Sequence, residues 1–170
     1  LDSSRNQIHV ILTVREGPSL NIRKTEFLSA DGTTTAEKAL PAAVRDPWTR
    51  YRRTTLRATG RYTDFKRTQI ADQVQSWLRN RGLAFAQVRS SAAVDTARYA
   101  ADLRFYVDAG PRAVVSEIAV DGNASVSRSV IRRELPFAVG DRFSAAAVTE
   151  GQQKLFDLNL FRVALADVPK

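Results

Sequence analysis

The chain contains no cysteine, no methionine and a single histidine, His9. Without cysteine there is no disulfide, no thiolate metal site and no cysteine nucleophile. One histidine alone does not build a zinc cluster. His9 lies beside apolar residues with no nucleophile-elbow pattern anywhere in the chain, so it reads as a solvent-facing strand residue and not as part of a Ser-His-Asp triad. The acidic residues are scattered, without the paired spacing of general acid–base work. Gly60-Arg-Tyr62-Thr63 and Gly140-Asp-Arg-Phe143-Ser144 lack the glycine density and the lysine of a phosphate-binding loop. No cofactor, no metal and no enzymatic activity are therefore expected. Apolar runs also stop well short of the roughly 20 residues a membrane helix needs. The chain opens Leu1-Asp2-Ser3 without an initiator methionine or a charged leader, and reads as a soluble piece of something longer.

What is present is arginine, 21 against 5 lysines, and its distribution is uneven. Residues 1–89 carry 16 Lys/Arg and 8 Asp/Glu; residues 90–170 carry 10 of each. The whole excess of +8 thus falls in the first half. Its densest stretch is Arg45, Arg50, Arg52, Arg53, Arg57 and Arg61, opposed only by Asp46. Such a basic face suits nucleic acid, anionic headgroups or an acidic protein, or is simply a solvated helix face. With 44 % hydrophobic residues the chain has enough apolar material for real cores. Trp48 and Trp77 are expected as core or interdomain filler.

The most informative signal is internal similarity. Ile8–Glu16 and Ala101–Ala109 each alternate apolar and polar residues, end in Val-(Arg/Asp)-x-Gly-Pro, and lead at once into a second strand-like stretch. Gly17-Pro18 and Gly110-Pro111 lie 93 residues apart. Period-two alternation places Leu103, Phe105 and Val107 on one face of a strand. Gly-Pro ends that strand, because proline cannot donate to a ladder. Helical patterns follow in both copies. Phe65–Arg81 brings Ile70, Val74, Trp77 and Leu78 to one face, with Gly82 as its stop. In the second copy Ser127 caps a helix that Pro136 limits, and Ser144 caps another running through Val148 and Leu155. Phe85–Val94 and Tyr99–Asp108 read as a hairpin turning at Asp95-Thr96, and Phe161–Asp167 as a strand. Val114–Asn123 reads as a strand closed by the turn Asp121-Gly122-Asn123. Thr33–Asp46 reads as a loop insertion ahead of a helix at Trp48–Ala58.

The resulting order is β-α-α-β-β. Residues 1–18 are expected to hold the final strand of a preceding unit, 19–110 one complete unit, and 111–170 a unit without its third strand.

In this order of motifs the chain resembles a tandem array of polypeptide-transport-associated (POTRA) domains of the outer-membrane protein assembly superfamily (BamA/TamA-like). The residues that carry the resemblance are Val107-Asp-Ala-Gly110-Pro111, Ile118-Ala-Val120-Asp-Gly122-Asn123, Gly140-Asp-Arg-Phe143-Ser144, Leu155-Phe-Asp-Leu-Asn159-Leu-Phe161-Arg-Val163 and Arg81-Gly82-Leu-Ala-Phe85. The string Tyr99–Pro111 is most similar to the translocation-and-assembly-module branch. The resemblance implies an α+β fold, a small three-stranded mixed sheet packed on two helices, in the periplasmic part of a bacterial outer-membrane protein. It also implies a C-terminal β-barrel beyond these residues. Expected partners are unfolded outer-membrane proteins or periplasmic and inner-membrane subunits. Strand exchange between copies is a further possibility, with residues 7–16 as the donated strand.

The function that follows is backbone recognition. A sheet edge offers unpaired N–H and C=O groups to an extended client whatever its side chains. In the family the second strand of each unit is that edge, which points to Ala86, Val88, Ser90 and Ala92, and in the second unit to Phe161, Val163 and Leu165. The alternative is a basic α/β nucleic-acid-binding module built on the Arg45–Arg61 patch. Against it, the sheet lacks the alternating surface aromatics of an RNA-binding platform, with Tyr106 the one candidate. A partner protein bearing a single such unit fits poorly with a repeat.

Overall fold

A computed structural model describes residues 10–13, 17–56, 58–123 and 126–158. Strand β1 (Asn21–Ser29) is followed by a one-turn helix α1 (Ala36–Ala39), helix α2 (Ala42–Thr54) and a two-residue strand β2 (Gly60–Arg61). Helix α3 (Asp64–Arg79) then leads into the hairpin β3 (Gln87–Asp95) and β4 (Ala100–Asp108). Beyond Gly110-Pro111 come helices α4 (Arg128–Glu134) and α5 (Ala145–Asp157).

The sheet order is β2-β1-β4-β3. β4 is central, parallel to β1 and antiparallel to β3. The mixed three-strand sheet is thus present, with β2 added as a short antiparallel cap on the start of β1. Alternation decides what each face does. Leu103, Phe105 and Val107 of β4 are buried, while the residues between them look outward. The outward face is polar and held by cross-strand pairs: Arg23 Nε donates to Asp102 at 2.9 Å and Arg104 Nε to Glu26 at 3.3 Å. The inward face meets the helices around an aromatic cluster. Phe27 stacks on Phe105 with centroids 5.0 Å apart, and Trp48 meets Phe27 and Trp77 edge-on at 5.4 and 5.6 Å.

α3 follows the apolar spacing of its sequence. Thr63 is its N-cap, accepting from Lys66 N–H, and Ile70, Val74, Trp77 and Leu78 are all buried. The chain turns away at Gly82, whose φ of +87° is open to glycine at little cost. Among the described residues, every member of the main buried cluster lies between Phe27 and Ala109; Ile131 and Phe143 are buried outside it.

Two sequence expectations need correction. Thr33–Asp46 is not a loop: it holds α1 and the first turn of α2, and Ala36, Leu40 and Val44 are core residues. Pro41 and Pro47 suggest breaks there. Pro41, however, sits at the N-cap of α2, where no backbone donor is needed, and Pro47 is carried inside that helix. The apolar stripe Leu40, Val44, Trp48 runs through both. The second correction concerns Val114–Asn123. Of this stretch only Val114 forms a bridge, to Arg142, and Val115 exchanges hydrogen bonds with Gly140 and Asp141. A strand exists through its ladder, and among the described residues no strand lies beside Ser116–Val120. The expected strand at 7–16 lies mostly outside the described residues; its described part, Val10–Thr13, is exposed and unpaired with the sheet. His9 and the strand Phe161–Asp167 lie outside them entirely.

Candidate functional site

Among the described residues β3 is the long free margin of the sheet, since its one strand neighbour there is β4. In an antiparallel pair, residues alternate between those bonded to the neighbour and those whose N–H and C=O point away. Val88 N–H donates to the side chain of Gln75 at 3.1 Å and not to β4. Val88, Ser90, Ala92 and Val94 therefore form the set whose backbone groups face outward from the sheet. Of the four residues named here from the sequence, Val88, Ser90 and Ala92 lie in this set and Ala86 lies just before the strand; Val94 is not among them.

Their side chains do something else. Ala86 is fully buried, and Val88 and Ala92 pack against the main core. The edge thus shows its backbone to the outside while Val88, Ser90 and Ala92 anchor it to the helix layer, and Val94 at its end is exposed. Such an edge is indifferent to the side chains of whatever pairs with it.

Part of this margin is already occupied by α3. Arg79 Nε donates to the Ala86 carbonyl at 3.1 Å, Gln75 accepts from Val88 N–H, and Arg67 Nη1 donates to Ser90 Oγ at 2.6 Å and to its carbonyl at 3.3 Å. Arg67, Gln75 and Arg79 lie on one helical stripe, spaced by multiples of four. Beyond Ser90 the clips end. Among the described residues, no side chain bonds the outward backbone groups of Ala92 and Val94. The sequence reading missed these three residues. Their spacing shows a polar flank of an amphipathic helix, but nothing local says that a strand runs beside it.

The expected basic patch is partly assembled. Arg45, Arg50, Arg52 and Arg53 are all exposed on α2 and Arg61 is exposed on β2; Arg57 lies outside the described residues. Arg45 also has a structural role, because its guanidinium donates to the carbonyls of Leu40 at 2.9 Å and Lys38 at 3.4 Å, closing α1. The candidate RNA-facing aromatic, Tyr106, stands on the outer face of β4 with Arg89 over it at 6.0 Å. Its neighbours along that strand are Arg104 and Asp108, so the aromatic platform is not built. Among the described residues no cluster of His, Cys, Asp and Glu is placed to hold a metal ion, and no helix is long and apolar enough to cross a membrane.

Residues 113–169 match the POTRA family, described as a surface antigen variable number repeat. The fold is similar to the crystal structure of Haemophilus influenzae BamA POTRA3-5, with a TM-score of 0.64 and 22 % identity, over 87 % of this chain and 54 % of that one. It is also similar to BamA from Haemophilus ducreyi lacking POTRA domains 1–3, with a TM-score of 0.66 and 22 % identity, over 84 % of this chain and 25 % of that one. The chain therefore spans about half the length of the first and a quarter of the second. The mixed α+β sheet on helices seen in residues 21–108 is the POTRA fold.

Proposed function

Starting from a chain with the POTRA fold, we propose that it is a periplasmic scaffold of an outer-membrane protein assembly or translocation factor. On this reading residues 19–110 are one complete unit, 111–170 a second that lacks its third strand, and 1–18 the final strand of a preceding one. The scaffold receives extended segments of unfolded outer-membrane proteins, or of partner subunits, by adding them as a strand to β3. No bond is made or broken; the work is done by backbone hydrogen bonds.

The observation that supports this is the outward-facing backbone of Val88, Ser90, Ala92 and Val94 on a nine-residue edge strand, with the Val88 and Ala92 side chains packed on the core. The basic patch on α2 supplies long-range attraction for acidic or anionic partners and does not by itself recognise a sequence.

The test is Ala92→Pro. Proline at an outward-facing edge position removes no bond to β4, so the sheet survives, but its ring takes the place of the N–H a client needs. Fluorescent peptides copied from several unrelated outer-membrane β-strands should bind the wild-type chain and lose roughly tenfold in affinity to Ala92→Pro, about the worth of one or two net hydrogen bonds. Unchanged affinity for all of them would place the client elsewhere.

A further inference from the structure

A cleft lies where the two halves of the chain meet. Its volume is about 340 Å³, and it is lined by Ala43, Val44 and Pro47 of α2, Asn80 and Arg81 at the end of α3, and Arg112 and Arg142 from beyond Gly110-Pro111. Three arginines thus line one space, and none takes part in an ion pair among the described residues. Arg81 is held in place by Trp77, its guanidinium carbon 3.8 Å from the ring centroid. Burial first, and then the charge of Arg142, push Arg81 below its ordinary value, and Tyr51 opposes them. Arg142 is positioned too: its stem lies over Gly82 so closely that a Cβ there would stand 2.7 Å from Cγ.

The same place is the joint. Ala113 N–H donates to the Gly82 carbonyl at 2.7 Å, and the side-chain oxygen of Asn80 accepts from Ala146 N–H in the first turn of α5 at 2.8 Å. These bonds draw the chain beyond Gly110-Pro111 onto the end of α3, while like charges across the cleft push against that contact. An anion between them would turn repulsion into attraction, and planar guanidinium groups suit oxyanions through paired N–H donors.

We propose that this cleft binds an oxyanion of phosphate or carboxylate chemistry, which bridges Arg81 to Arg112 and Arg142 and stiffens the joint between the two halves. The proposal is independent of strand addition at β3.

The test uses the full chain, with inorganic phosphate and succinate titrated calorimetrically at constant ionic strength balanced by chloride. Saturable binding of one of them is expected, weakened at least tenfold in Arg112→Gln/Arg142→Gln, since each lost charge-assisted bond is worth that much or more. Preference for phosphate or for succinate assigns the class. Because the chain has no native cysteine, spin labels at Ser91→Cys and Thr149→Cys read the joint directly. Their distance distribution should narrow with the bound anion in the parent and stay unchanged in the double variant, at equal thermal stability. No saturable binding by either anion, or binding that the double substitution leaves intact, overturns the site; binding without narrowing overturns the stiffening.

Discussion

The side-chain oxygen of Gln75, on α3, accepts the backbone N–H of Val88, on β3, at 3.1 Å. A helix residue here fills a hydrogen-bonding position that a neighbouring strand would otherwise take. Arg79 and Arg67 do the same on either side, so the edge is guarded at its start and open at its end. Long exposed edges invite unwanted pairing, and side-chain clips are one way to limit it.

Removing the guards should therefore widen the docking strip. The variant Gln75→Ala/Arg79→Ala is expected to bind client peptides several-fold more tightly, because the peptide no longer displaces existing bonds. Hydrogen exchange of the Val88 amide should quicken in the free variant. Weaker binding would mean that α3 side chains contact the client instead.

Trp48 is fully buried and its indole N–H has no partner. Two opposed effects follow. Trp48→Ala opens a large cavity among Phe27, Tyr51 and Trp77, at a cost of about 3–5 kcal/mol. Trp48→Phe leaves a smaller gap and also removes an unpaired buried donor, whose penalty is about 1–3 kcal/mol. Denaturant unfolding should place Trp48→Phe within about 1.5 kcal/mol of the parent and Trp48→Ala far below it.

Asp31, in the turn after β1, accepts from the Ser29 hydroxyl and from the N–H and hydroxyl of Thr33, which hold its carboxyl at about 2, down from 3.8. The folded value is lower than the unfolded one, so its contribution to stability is whole above about pH 3.8 and fades as the pH falls towards 2. Asp31→Asn should flatten the stability curve in that window. A residual slope remains from Asp102, Glu26 and Asp64, also lowered, chiefly by hydrogen bonds from Arg23, Lys24 and Tyr62 respectively.

The nucleic-acid alternative makes a separate prediction. Arg50→Gln/Arg52→Gln/Arg53→Gln should abolish whatever RNA binding exists at low salt and leave peptide binding at β3 unchanged. Tight RNA binding that persists at 0.2 M salt would instead favour a nucleic-acid role for the patch.

Much of the fold was legible because its signals are local. The alternation of Leu103, Phe105 and Val107, the α3 stripe from Ile70 to Leu78, and the caps at Ser127 and Ser144 all appear where their spacing places them. α1 and the start of α2 were hidden by Pro41 and Pro47, whose breaking effect depends on position within a helix and not on presence alone. The choice of edge strand came from the family resemblance, while Arg67, Gln75 and Arg79 meet that strand only through tertiary packing of α3 on β3. Arg81, Arg112 and Arg142 are likewise dispersed in sequence and joined only where the chain folds back after Gly110-Pro111.

The central claim is that the backbone of β3 receives the client, and amide hydrogen exchange reads it residue by residue. With saturating peptides of unrelated sequence, the outward-facing amides of Ser90 and Ala92 should slow markedly, while that of Ser91, already bonded to β4, keeps its rate. Bound peptide with Ser90 and Ala92 exchanging as fast as in the free chain would contradict the account.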